Sequence, residues 1–203
     1  MRTEARAQPL THAGPVPWSR YPVFFGLAAA ALAWDLYSKW AVFADLGVGR
    51  ISEWQKEFFG NAVRFRLHTN FNYGALWGFG QGYTFVFAAL SLVAAVGILY
   101  WLFVRGGAWS WWLTIALGLI LGGTLGNFYD RLGLHGWKDG DEQVYAVRDF
   151  LDFQFFGVFD WAIFNFADSY LVTGAIMLVL YSFKPEPRLV ESGEPKAESQ
   201  IAC

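Results

Sequence analysis

The sequence predicts an all-α membrane protein: four transmembrane helices, with a small β-cradle and an aromatic amphipathic loop or helix cap gathered on one side. Three observations lead there. Of 203 residues, 55% are hydrophobic, 20% aromatic and only 16% charged, whereas a soluble domain carries about a quarter charged residues. Four apolar stretches each approach the ~20 residues a helix needs to cross a ~30 Å hydrocarbon core, and lipid leaves the backbone no partner except its own helix. The links between those stretches are also unequal, long on one side and a mere turn on the other.

The first stretch runs from about 23 to 44 and is interrupted by Asp35 and Lys39. The second (83–104) and the third (108–129) carry no charge inside them, and the fourth (167–183) has Asp168 at its start. They divide the chain into an N-terminal arm (1–21), a four-span membrane domain (22–183) and a polar, Pro-containing tail (184–203) of disordered composition. An even number of spans puts both termini on one side. Seven basic residues fall on each side, so basic charge does not orient the chain. Ala31-Leu32-Ala33 after an Arg-bearing start resembles a secretory cleavage site, but the apolar run continues past it as a full span.

The long links are 45–82 and 130–166. In the first, Arg64, Arg66 and His68 alternate with Phe65 and Leu67, a period that suits a short strand. The second contains VRDFLDFQFFGVFDWAIFNF, too aromatic for a simple soluble loop. Such residues favour the headgroup region, which places this material at the membrane surface as a cradle or cap. The opposite side has only Arg105-Gly106-Gly107, so chemistry belongs on the long-loop side.

Several classes are excluded early. A net charge of −2 gives no broad basis for nucleic-acid binding. Cys203 is the only cysteine, so no internal disulfide and no Cys-based zinc site can form. His12, His68 and His135 are scattered without metal-ligand spacing, and no G-x-S-x-G or phosphate-loop motif occurs.

Ionisable groups inside membrane spans are functional candidates by default. Asp35 and Lys39, four apart, share a helix face and can pair as an internal anchor. The third span ends in GGTLGNFYDRL with Asn127, Asp130 and Arg131, where Gly122 and Gly126 suit close helix packing. Asp149 lies in the aromatic cradle and Asp168 at the start of the fourth helix, whose dipole favours a carboxylate. Two carboxyls in a poorly hydrated site can share one proton, one serving as base toward water and the other as hydrogen-bond donor. Pattern alone does not separate Asp149 from Asp139, Asp141, Glu142, Asp152 or Asp160. Asn72 and Asn165 are neutral donors and acceptors near the same surface, suited either to orienting a substrate or to turn chemistry.

DLYSKW with Asp35 and Lys39, NYGALWGF with Asn72, GNFYDR with Asn127 to Arg131, RDFLDF with Asp149 and NFAD with Asn165 to Asp168 follow one another in order. Together they resemble the signal peptidase II family, the bacterial lipoprotein signal peptidases. The resemblance implies a four-span aspartyl endopeptidase of the bacterial inner membrane with cytoplasmic termini, an extracytoplasmic cradle and an active site near the outer leaflet. The implied partners are membrane lipids and a lipid-modified prolipoprotein, cut just before its lipidated cysteine; it also implies a monomer with no nucleic-acid partner, no metal and no cofactor. By family motif, Asp149 and Asp168 are the catalytic pair, and Asp149 is thereby chosen over Asp152. Asn72, Asn127, Arg131 and Asn165 line or support the site, while Asp35, Lys39 and Asp130 have supporting roles. Two features depart from the family pattern: a longer stretch over 132–147, and Arg148 where a small apolar residue is expected. A guanidinium there could lower the proton affinity of Asp149 or bind a substrate carbonyl or a lipid phosphate.

A small ion-coupled transporter predicts charge near mid-span on several helices, whereas here only the first span has an interior charge. A non-catalytic scaffold using Asp35 and Lys39 for assembly leaves the Asn and Asp cluster unexplained.

Overall fold

A computed structural model describes residues 15–74, 80 and 82–183. Most of the expected N-terminal arm, part of the NYGALWGF motif and the expected tail lie outside the described residues. Helix α1 spans Arg20–Leu46, and its Pro22 falls within the first turn, where a missing N–H costs no helical hydrogen bond. Helix α2 (Thr84–Leu99) runs on through a π-helical turn at Tyr100–Val104. Helix α3 spans Trp111–Arg131 and is capped by Ser110, whose hydroxyl accepts the Leu113 N–H. Helix α4 spans Phe166–Ser182. Between them lie β1 (Ile51–Phe58), β2 (Val63–Asn72), β3 (Lys138–Asp139), β4 (Glu142–Gln143), β5 (Val147–Phe155) and β6 (Phe159–Asp160).

This architecture overturns the all-α, four-span expectation. Of the described residues, about 55% are helical and about 21% are strand, including an antiparallel sheet in the order β1-β2-β5-β6. Among the described residues, two helices are both long and apolar enough to cross a membrane, Thr84–Val104 and Trp111–Arg131. The reasons are local. α1 is long, but Asp35, Ser38 and Lys39 interrupt its apolar run. α4 has 17 residues, and at about 1.5 Å each it falls short of a ~30 Å core. The segment expected as an aromatic loop or helix cap is instead β5 and β6, whose Phe residues suit a half-buried pleated surface.

Helix α3 is the central post, packed against α1, α2 and α4. Its glycines make that possible. A side chain at Gly122 would collide with Ala31 and the Ala28 carbonyl, one at Gly123 with the Ala167 carbonyl, and one at Gly126 with the Asp35 carboxylate. Outward-facing Val93 and Val96 of α2 are exposed, as expected of a helix surrounded by lipid rather than protein.

The sheet has two unlike faces, because alternate strand residues point opposite ways. Phe65 and Leu67 of β2 lie across from Phe153 and Leu151 of β5 on one face. On the other, Arg66 lies across from Asp152 and Arg64 across from Gln154. A bulge between Leu67 and Asn70 re-aims the end of β2. Thr69 in that bulge donates its hydroxyl to the Gly47 carbonyl at 2.6 Å and accepts the Arg50 N–H at 3.0 Å, latching sheet to α1. Gly47, at φ 79°, supplies the turn after α1 that a side chain would disfavour.

Candidate active site

Two strand pairings and one helix start bring the candidate residues together. On one side β5 pairs with β2, in a register that sets Asn70 opposite Asp149 and Asn72 opposite Val147. On its other side Leu151 bridges Phe164, exchanging N–H and C=O bonds at 2.8 and 3.1 Å. Asp149 therefore hangs between Asn72 and Asn165. Its Oδ2 accepts the Asn72 amide N–H at 3.0 Å, and its Oδ1 accepts that of Asn165 at 2.6 Å.

Asn165 is also the N-cap of α4, in extended conformation. Its side-chain carbonyl accepts the Asp168 backbone N–H at 3.1 Å, and the Asp168 carboxylate accepts the Asn165 backbone N–H at 3.2 Å. This reciprocal cap satisfies two helix-end donors and fixes Asp168 in the first turn, where the helix dipole favours negative charge. The other oxygen of Asp168 accepts the Asn127 amide N–H at 2.8 Å. Asn127 in turn accepts from the Lys39 ammonium at 3.0 Å and from Asn165 at 3.2 Å.

Behind this frame lies a buried ionic network. Lys39 pairs with Asp35 at 2.7 Å and with Asp130 at 3.2 Å, and all three side chains are fully buried. Asp35 spends its second oxygen on the Ala167 N–H at 2.8 Å, a free donor of the first turn of α4. Asp130 is held from the other side by Arg148 at 2.7 Å.

Asn72, Asn127, Arg131, Asp149 and Asp168 line one cavity of about 480 Å³, walled by apolar side chains such as Phe87, Leu90 and Leu171. Arg131 donates to the Gly74 carbonyl at 3.4 Å and stands 5.5 Å from the Phe87 ring centre. Asn165 touches Asp149 from behind, while Asp35, Lys39 and Asp130 form the network described above. Asp152 is elsewhere: it is buried on the polar sheet face, where it accepts from Arg66 at 2.7 Å and His68 at 3.1 Å. Burial pushes the proton affinity of Asp149 up to about 8, with the neighbouring Asp168 charge adding to the effect and the Asn72 hydrogen bond opposing it. A neutral Asp149 can still accept from both amides, and its own O–H is left free to donate.

The sequence leaves the role of Arg148 open. Arg148 does not reach toward Asp149 or a substrate. Its side chain is buried and turned to Asp130 on the opposite face of β5. The walls contributed by α2 also went unread, because Phe87 and Leu90 sit in an uncharged run where nothing distinguishes a cavity wall from a lipid-facing surface.

Residues 27–184 match the family model described as Signal peptidase (SPase) II. The chain is 47% identical over 171 residues to a lipoprotein signal peptidase of Rhodopirellula baltica, covering 82% of this chain and 74% of that protein. It is 32% identical to the lipoprotein signal peptidase of Geobacillus thermodenitrificans, covering 81% of this chain and 91% of the relative. Among solved structures, a bacterial membrane enzyme superposes with a TM-score of 0.64 at 22% identity, over 87% of this chain and 99% of the other, a likeness of fold.

Proposed function

The chain belongs to the signal peptidase II family of membrane proteases, and from that premise we propose that it is an aspartyl endopeptidase acting on diacylglyceryl-modified prolipoproteins. It removes the signal peptide by cutting before the lipidated cysteine. One observation carries the mechanism: Asp149 and Asp168 line the same apolar-walled cavity, held by amide donors rather than by cations.

In this reading Asp149 enters the reaction neutral and Asp168 ionised. Asp168 takes a proton from water as the water oxygen attacks the scissile carbonyl carbon. Asp149 gives its proton to the carbonyl oxygen, so the tetrahedral intermediate is a neutral gem-diol. Asp168 then protonates the departing nitrogen as the C–N bond breaks, and Asp149 recovers its proton from a hydroxyl of the intermediate. Both carboxyls return to their starting states. Asn165 touches both partners and holds their separation, and the apolar walls limit competing water while accommodating lipid. Such placed proton transfers contribute roughly 10²–10⁴-fold.

The same reading places residues 22–183 as the catalytic domain in the bacterial inner membrane, with the cavity near the outer leaflet and the substrate arriving laterally through lipid. Purified protein reconstituted with a diacylglyceryl-modified prolipoprotein tests it. Turnover before the modified cysteine is expected in the parent and is expected to fall by at least about a thousandfold in folded Asp149→Asn and Asp168→Asn. Undiminished turnover in folded Asp149→Asn would overturn the assignment of Asp149, and a folded parent that never cleaves would overturn the reading altogether.

A further inference from the structure

Arg148, at the residue preceding Asp149, is a buried cation that the mechanism leaves unused. Its bonds are unusually complete. Nε and Nη2 both donate to Asp130 Oδ1, at 3.1 and 2.7 Å, and its backbone N–H donates to Asp130 Oδ2 at 3.0 Å. Strand β5 is thus bolted to the last turn of α3 by one carboxylate, at the residue adjoining Asp149. Three residues before Asp130 on that helix is Asn127, which holds Asp168.

The clamp also reaches Asp168 by a second route. With Oδ1 occupied by the guanidinium, Asp130 offers Lys39 only Oδ2, at 3.2 Å. The Lys39 ammonium remains 2.7 Å from Asp35 and donates to Asn127 at 3.0 Å, and Asn127 donates to Asp168 at 2.8 Å. Without the guanidinium, Asp130 is free to draw Lys39 away from Asn127.

We propose that Arg148 is a positioning residue of the proteolytic site, setting Asp149 through its backbone and Asp168 through the Asp130–Lys39–Asn127 chain. The inference rests on the aspartyl-protease reading above. Arg148 does not line the cavity, so it acts on turnover and not on substrate affinity. A small displacement of a reacting group lowers a rate on the order of a hundredfold.

The test compares Arg148→Leu and Arg148→Lys with the parent in lipid, reading kcat, KM and the pH profile. Both variants are expected to keep KM and lose kcat by about ten- to a hundredfold, Leu more than Lys, since a single ammonium cannot reproduce a forked pair of bonds. The alkaline limb of kcat is expected to move to higher pH in Arg148→Leu and less in Arg148→Lys. The groups that face Asp149 are Asp168 from α4, Lys39 from α1, Arg131 from α3 and the amides of Asn72 and Asn165, and Lys39, whose charge opposes that proton, withdraws toward Asp130 once the guanidinium is gone, which makes the proton harder to remove. Infrared titration of the protonated Asp149 carboxyl, assigned by its loss in Asp149→Asn, reports the same shift without substrate. That readout separates a failed clamp from a failed protease reading, which the unsubstituted parent tests. Unchanged kcat and an unmoved Asp149 titration in folded Arg148→Leu would overturn the proposal. So would a lower melting temperature with kcat and pH limb intact. If Arg148→Leu does not fold, Arg148→Lys decides on the same terms.

Discussion

Four carboxylates stand close together in this protein, Asp35, Asp130 and Asp149 buried and Asp168 half-buried at the cavity, and they fall into two kinds. Asp35 and Asp130 are paired with cations, Lys39 for both and Arg148 for the second. Asp149 and Asp168 take their side-chain hydrogen bonds from the amides of Asn72, Asn165 and Asn127. A cation beside a carboxylate favours the charged form and removes the group from proton chemistry near neutral pH, whereas an amide supports it in either state. In the proposed mechanism, one cluster thus uses the same residue type both as a rivet and as a reagent.

The largest effect should come from breaking the riveted half. Lys39→Met leaves Asp35 as an uncompensated buried charge, and unfolding measurements in detergent should show a loss of about 3–5 kcal/mol. Adding Asp35→Asn should recover part of it, since an amide oxygen can still accept from Ala167. No recovery in the double variant would mean that the pair serves something other than charge balance.

On the reagent half the probe is pH. Asp149 holds a proton up to about 8 in the folded protein, against an ordinary value of 3.8. The folded state then binds one more proton than the unfolded chain between those values. Its stabilising contribution is complete below 3.8 and is lost as pH rises through about 8. Turnover, which in the proposed mechanism needs that proton, should fall over the same upper limb, and Asp149→Asn should flatten this part of the stability profile. A stability curve with the same slope in the variant would place the proton on another group.

The mildest test concerns Asp152, three residues from Asp149 but cation-paired to Arg66. Asp152→Asn should cost about 1–3 kcal/mol through its charge-assisted bonds while turnover per folded molecule stays within roughly twofold, since a change that shares no partner with a site seldom couples to it. A large fall in turnover there would erase the distinction between the two kinds of carboxylate.

Some of this was legible in the chain. The spacing of Asp35 and Lys39 identified their pairing, and Gly122 and Gly126 marked a close helix contact whose partner, α1, only the fold reveals. The four apolar runs located the helices to within a few residues, but apolar length alone overstated how many can cross a membrane. The sheet was mostly hidden. VRDFLDFQF lacks a clean alternation because the first six residues of β5 are buried on both faces. Its partner β2 lies some 80 residues earlier, beyond the reach of any local pattern. The choice of Asp149 over Asp152 came from family resemblance. The physical basis of that distinction, an Asn on each side of one and an Arg across from the other, exists only once the strands pair.

Asn165 illustrates how narrow a residue's alternatives can become. Ser, Thr, Asp and Gly also start helices well, so as a cap the position would tolerate several replacements. Here the side chain must also aim a donor at Asp149 from one atom while accepting the Asp168 N–H with another. Asp has no donor when ionised, Gly has no side chain, and a hydroxyl concentrates both functions on a single short-reaching oxygen. Of the residues that can begin α4, asparagine alone can also bridge the pair, so starting the helix and assembling the chemistry are one folding event.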